Sequence, residues 1–214
     1  MFAKTTCALL LAITLTITAW GQLFAPSRIK IYWKDSNDVP YMTFKNVKKE
    51  HPNVVFMTNG GPFTKAHGPA GLYIEQGKKL SSIKLPQNPK VQYGIAPQGI
   101  FIIENNRARI IPADQKFEEK NASYAVQAGP LLVINSKINN RLPKGKITMR
   151  NGVGITQNGN VYFACLKMDY RTFAQHFINE GCSIALMLDH TRSETWLPEN
   201  GTSFGRFGPI IAVE

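Results

Sequence analysis

The side chain best placed to do chemistry in this chain is the carboxylate of Asp189. It follows the apolar run Ile184-Ala185-Leu186-Met187-Leu188 and opens the polar stretch Asp189-His190-Thr191-Arg192. A carboxylate at the end of a buried strand is partly withdrawn from water, and such a group can act as general acid or base near neutrality. The same position also suits an Asp that merely caps the following loop. The arrangement has a counterpart upstream, where Val54-Val55-Phe56-Met57 runs into Thr58-Asn59-Gly60-Gly61-Pro62-Phe63. Asn59 brings an amide that both donates and accepts. Gly60 and Gly61 allow positive φ and a close approach of ligand to backbone N–H groups, as in an anion nest. Without a ligand, Gly-Gly is a tight turn.

Other side chains could complete such a site. Arg150 carries a guanidinium fork that can hold two phosphate oxygens at once, the alternative being an ordinary salt-bridging Arg. His67, in a loop with Gly68 and Pro69, could protonate a leaving group or contact phosphate, although a loop His is often simply solvated. Gln127, ahead of Ala128-Gly129-Pro130, could reach a sugar hydroxyl if its strand ends at the site, with Gly129 alongside. His190, next to Asp189, belongs with these substrate-binding candidates. Glu194 lies five residues after Asp189 and could make up a carboxylate pair of the kind glycosidases use. Glu75 falls in a hairpin turn and suggests no role, and Trp196 suits packing at least as well as stacking on a sugar.

The segments around Asn59-Gly60-Gly61, Gly129-Pro130, Arg150 with Gly154, and Leu188-Asp189, in this order, resemble the phosphodiester glycosidase family. Members typically carry Asn-Gly-Gly followed by aromatics, then Ser-Gly-Pro, Arg-x-x-x-Gly and Leu-Asp-Gly-Gly. Here Ala128 stands where many have Ser, and His190-Thr191 where they have Gly-Gly. The resemblance runs from about Val54 to Val213 and includes the closing Gly208-Pro209-Ile210-Ile211. It implies an exported hydrolase that cleaves a sugar-1-phosphodiester in an envelope or extracellular glycan. In that role Asp189, Arg150 and His67 would be catalytic, and Asn59, Gly60, Gly61, Gln127, Gly129 and His190 would bind substrate. The competing reading is a non-catalytic envelope protein that holds an anionic glycan in the same pocket.

With 214 residues, 43% hydrophobic and 18% charged, the chain suits one well-packed domain. Its first 25 residues stand apart: Lys4 is their only charge, an apolar stretch runs from Ala8 to Trp20, and Ala19-Trp20-Gly21 offers a small-x-small cleavage site. That layout predicts a signal peptide or N-terminal anchor over residues 1–21 and a domain over 22–214, outside the cytoplasm. No later segment is long and apolar enough to span a membrane, so a membrane would be engaged only through an uncleaved N-terminus. A net charge of +11 favours an anionic partner such as a phosphorylated glycan. Nucleic acid fits poorly, because the basic residues lie in scattered loops with no aromatic-interleaved motif.

Cys165 and Cys182 follow the leader and are pairable in an oxidising compartment, but both sit in or beside apolar strands, which suits free thiols better. The four histidines are scattered and no Cys-x-x-Cys exists, so no zinc site is expected. No cofactor is implied, and a hard divalent cation such as calcium is left open by Asp189 and backbone oxygens.

Strands dominate the pattern. Arg28 to Trp33 alternates. Hairpins are expected with turns at Glu75-Gln76-Gly77, Asn105-Asn106 and Asn158-Gly159. A helix should run from an Asp169 N-cap to a Gly181 stop, and a second over Thr43 to Glu50. The expected fold is α+β: a largely antiparallel or mixed sheet with a few packed helices in a single domain.

Overall fold

The computed structural model describes residues 21–85, 94–189, 192–200, 203 and 205–214. The leader expected over 1–21 lies outside the described residues apart from Gly21, and so do His190 and Thr191. The fold is α+β in one domain, with every pairing of its strands antiparallel.

The hairpins form where the turn chemistry places them. Strands β6 (Gly99–Glu104) and β7 (Arg107–Pro112) are joined by Asn105 and Asn106, both at positive φ (47° and 59°). Strands β4 (Tyr73–Glu75) and β5 (Lys78–Ser81) turn through Gln76 (50°) and Gly77 (78°). Two central residues of positive φ match the right-handed twist of the strands they join. Together with β8 (Ala122–Ala128), these make a five-stranded sheet ordered β5-β4-β8-β6-β7.

The second sheet has six strands. The long pair β11 (Thr148–Thr156) and β12 (Val161–Met168) is flanked by β1 (Gln22–Phe24) on one side. On the other lie β13 (Cys182–Asp189), β9 (Leu131–Ile134) and β10 (Lys137–Ile138). The third sheet, ordered β14-β3-β15-β2, unites β14 (Thr195–Trp196), β3 (Phe56–Asn59), β15 (Ile210–Val213) and β2 (Ile29–Tyr32). Phe56, Phe101, Val126, Val153, Phe163, Leu188 and Ile211 meet in one buried cluster, so all three sheets share a core.

Helix α1 (Phe44–Glu50) is capped by the Thr43 hydroxyl, which accepts from Asn46 N, and it buries Phe44 and Val47 on the third sheet. Helix α2 (Tyr170–Asn179) starts at Asp169, whose carboxylate accepts from Arg171 N and Thr172 N, and ends before Gly181 at φ 78°. It seats Phe173 and Phe177 on the outer face of the six-stranded sheet. That contact explains two glycines of β11. A Cβ on Gly152 would lie 3.1 Å from the Phe177 ring and 3.2 Å from Phe173, and one on Gly154 would lie 2.7 Å from Phe177 and 2.6 Å from Cys182 Sγ. Gly154→Ala should therefore overpack this seam and lower stability by about 1–3 kcal/mol. For a chain of this size that is roughly 2–4 °C per kcal/mol in a thermal melt; an unchanged melting temperature would refute the packing account.

Cys182 pairs in register with Thr156 and Cys165 with Asn151, at opposite ends of β11. Five residues of strand separate them, about 16 Å, whereas a disulfide needs Cα atoms within about 7 Å. Both are free thiols, and burial pushes each up to about 12. Alkylation at neutral pH should be slow in the native protein and fast in denaturant, as mass spectrometry would read directly.

Candidate active site

Strands β3 and β13 belong to different sheets, yet their ends meet. Asn59 closes β3 and Asp189 closes β13, and between them lies Asn151 of β11, paired in register with Asp189. Asn59 and Asn151 are fully buried, a position that demands partners for every polar atom. Asn151 Nδ2 donates to Thr58 Oγ1 (2.9 Å), Asn59 O (2.8 Å) and Asn59 Oδ1 (2.9 Å). Its Oδ1 accepts from Asp189 N (2.7 Å) and Ser193 Oγ (3.3 Å). One amide thus ties the ends of three strands together.

The network also orients Asn59. Its Oδ1 accepts from both Asn151 Nδ2 and Glu194 N (3.1 Å), so its Nδ2 is the atom turned to Asp189 Oδ2, at 3.3 Å. Ser193 Oγ donates to Asp189 O (2.9 Å), and Thr58 Oγ1 donates to Glu194 O (2.9 Å), which holds the chain on both sides of Arg192. The Asp189 carboxylate is half-buried, fixed at one oxygen by an amide and carried on a main chain that is itself hydrogen-bonded.

Asp189 lines an open cavity of about 550 Å³ together with Pro62, Phe63, Thr64, Lys65, His67 and Arg192. The Phe63 ring lies parallel to His67, with centroids 5.3 Å apart, and the Arg192 guanidinium carbon is 5.6 Å from the Phe63 centroid. The loop bearing these groups is clamped from several sides: Gly60 N donates to Pro209 O (2.8 Å), Thr64 N to Gly68 O (2.8 Å), and Trp33 Nε1 to His67 O (2.9 Å). Gly208 runs so close that a Cβ there would sit 2.4 Å from Phe63 Cβ. His67 itself adopts φ 59°, a strained value for a residue with a side chain. Its Nδ1 is 3.0 Å from the Phe207 carbonyl oxygen. A carbonyl can only accept, so Nδ1 carries the hydrogen and Nε2 is the ring atom left to take up or release a proton. The cavity sets one carboxylate among Lys65, Arg192 and His67, a composition suited to a bound anion beside a proton-transfer group.

The other expected site residues are placed as follows. Arg150 does not line this cavity: strand alternation turns it to the opposite face of β11 from Asn151. There it is 2% exposed, its Nε donates to Met168 O (2.8 Å) and its Nη2 to Lys146 O (2.8 Å), and its guanidinium carbon lies 3.7 Å from the centroid of the Tyr170 ring. Gln127 is 1% exposed, and its amide is engaged by Leu72 N, Lys84 N, Lys84 O and Gln98 Oε1. Gly129, joined to Pro130 by a cis peptide, packs on Gln98. The N–H of Gly60 is already given to Pro209 O, and Gly61 is required by its φ of 136°.

Glu194 accepts from Ser203 Oγ and does not line the cavity. Trp196 packs beside the α1 cluster, with Lys48 Nζ 5.2 Å from its ring centroid. Glu75 is pushed up by burial, against the lowering effect of its bond from Tyr73 Oη (2.8 Å). Sequence reasoning passed over Asn151, Ser193, Arg192, Lys65 and Phe63. The available signal was Asn151 itself, a polar residue in phase with Val153 and Ile155 on a strand otherwise apolar on that face.

Among the described residues no helix is long and apolar enough to cross a membrane, and no three His, Cys, Asp or Glu side chains cluster as a metal site. The chain is 29% identical over 213 residues to the uncharacterised protein YigE of Escherichia coli K12, covering 94% of this chain and 83% of that one. Its fold matches the catalytic domain of zebrafish N-acetylglucosamine-1-phosphodiester alpha-N-acetylglucosaminidase, auto-inhibited by its pro-peptide. That match has a TM-score of 0.66 at 12% identity and covers 88% of this chain and 73% of that one. A putative exported protein of Burkholderia pseudomallei matches with a TM-score of 0.58 at 12% identity, over 89% of this chain and 72% of that one. The phosphodiester glycosidase family model spans residues 52–204, from just before β3 through Asn59, Asn151, Asp189 and Arg192. With the cavity's residues and the network beneath them inside that span, the chain belongs to the phosphodiester glycosidase family.

Proposed function

We propose that this protein is an exported hydrolase that splits the bond between the anomeric carbon of a sugar and a phosphodiester, in an envelope or extracellular glycan. The observation that carries the reading is the placement of the Asp189 carboxylate in one cavity with Arg192, Lys65 and His67. The reaction adds water across the C1–O bond, so a hydroxyl appears on the sugar and the phosphate leaves as a monoester. Arg192 and Lys65 hold the phosphate oxygens and stabilise the charge that grows on them as the bond breaks. Asp189 takes the proton from water or stabilises the oxocarbenium-like carbon. His67 Nε2 supplies a proton to the leaving oxygen or holds it by a hydrogen bond. Asn59 keeps the carboxylate aimed by donating to one of its oxygens.

Asn151 is the positioning residue beneath this arrangement. Asn151→Ala strands the N–H of Asp189 and leaves Asn59 Oδ1 with Glu194 N alone, so stability should fall by about 2–3 kcal/mol. Turnover should drop with it, and Asn151→Asp, which keeps an acceptor for Asp189 N but sets a buried carboxylate oxygen against Thr58 Oγ1, Asn59 O and Asn59 Oδ1, should cost at least as much stability. Thermal melts and steady-state kinetics of both variants measure the two effects. The activity itself is tested by incubating the purified protein with sugar-1-phosphodiesters and following free reducing sugar. Binding without turnover would favour a non-catalytic glycan-binding protein instead.

A further inference from the structure

Between Glu119 and Asp169 the chain contains no Asp or Glu, while it carries Lys120, Lys137, Arg141, Lys144, Lys146, Arg150 and Lys167. Of these only Arg150 is buried away from solvent, behind Tyr170. The loop between β10 and β11 exposes Arg141, Lys144 and Lys146, and directly beyond it Ile147 is 65% and Met149 43% exposed. Met149 pairs across the strands with exposed Lys167, so the two side chains share one face. The nearest acid in sequence, Asp169, has its carboxylate engaged at the start of α2 by Arg171 N and Thr172 N. Of these cations Lys120 pairs with Glu118 and Arg141 shares a pocket with Asp114, while Lys144, Lys146 and Lys167 have no ion pair among the described residues and adjoin the exposed Ile147 and Met149.

We infer that this edge docks on the surface of an anionic phospholipid bilayer. An anionic polymer would need only the cations. A bilayer also provides an apolar layer beneath its phosphates, in which Ile147 and Met149 can be buried while the lysines stay at headgroup level. The position adds to this: β11 begins at Thr148 and reaches Asn151 three residues later, so the patch lies at the same end of the sheet as Asp189. Docking there brings the rim of the candidate site to the membrane face, where a lipid-tethered sugar phosphate would present its headgroup. The docking inference stands apart from the hydrolytic reading, because binding can be measured without turnover.

The test is cosedimentation of the full chain with vesicles of pure phosphatidylcholine and of phosphatidylcholine mixed with phosphatidylglycerol, at about 0.1 M salt. Neutral vesicles measure whatever the apolar N-terminus contributes. Partitioning should rise on the anionic vesicles and fall as salt is raised. Lys144→Gln and Lys146→Gln should each weaken it by about fivefold, and the double variant Ile147→Ser with Met149→Ser by about tenfold, with the melting temperature preserved because all four side chains are exposed. Equal binding to both vesicle types would overturn the inference. So would anionic binding that the Ile147 and Met149 changes leave untouched, since that would identify the partner as a polyanion.

Discussion

Asp189→Asn should lower the hydrolysis of a sugar-1-phosphodiester by about two to four decades while leaving the fold intact. The fold survives because the structural bonds at this position are made by main chain: Asp189 N donates to Asn151 Oδ1 and Asp189 O accepts from Ser193 Oγ. Among the described residues the side chain accepts from Asn59 Nδ2 and from the more distant Arg192 N, at 3.5 Å, and the introduced amide retains an oxygen for that purpose. What disappears is the negative charge and the ability to take a proton. Binding should persist, since Arg192 and Lys65 are untouched. Near-normal hydrolysis by this variant, with a phosphodiester the parent cleaves, would sink the proposed mechanism even though the family assignment stood.

The second large effect separates two arginines. Arg192 lines the cavity, so Arg192→Ala should reduce kcat/KM by about two to three decades, through both weaker binding and a less stabilised leaving phosphate. Its melting temperature should stay close to that of the parent. Arg150 should behave in the opposite way. Its guanidinium bridges Met168 O and Lys146 O while lying against Tyr170, and Nη1 has no partner among the described residues. Arg150→Lys replaces a planar fork with a single ammonium in a buried place and should cost about 2–4 kcal/mol of stability, with KM close to normal. Melts and kinetics on both variants decide the matter. A raised KM with unchanged stability for Arg150→Lys, together with an Arg192→Ala enzyme of full activity, would return the phosphate to Arg150.

What the sequence determined by itself is the part governed by neighbours in the chain. The turns at Asn105-Asn106 and Gln76-Gly77 form because positive φ is cheap at Gly77 and well tolerated by the two asparagines, and α2 starts and stops at Asp169 and Gly181 because a carboxylate and a left-handed glycine satisfy helix ends. The same locality made the ends of β3 and β13 readable as polar junctions, and so put Asn59 and Asp189 among the candidates before any fold was known. Arg150 and Asn151 mark where that reasoning stops. Alternation requires them to face opposite ways, but both faces of β11 are buried, one by α2 and one by the shared core, so the pattern does not say which face holds the site. That choice was made by Phe173 and Phe177 docking on Gly152 and Gly154, a contact between elements. Nor could the cavity be read along the chain: Phe63, His67, Asp189 and Arg192 converge because β3 and β13 come from separate sheets whose ends are tied by Asn151. Convergence of this kind depends on the packing of whole sheets, and only the tertiary structure decides it.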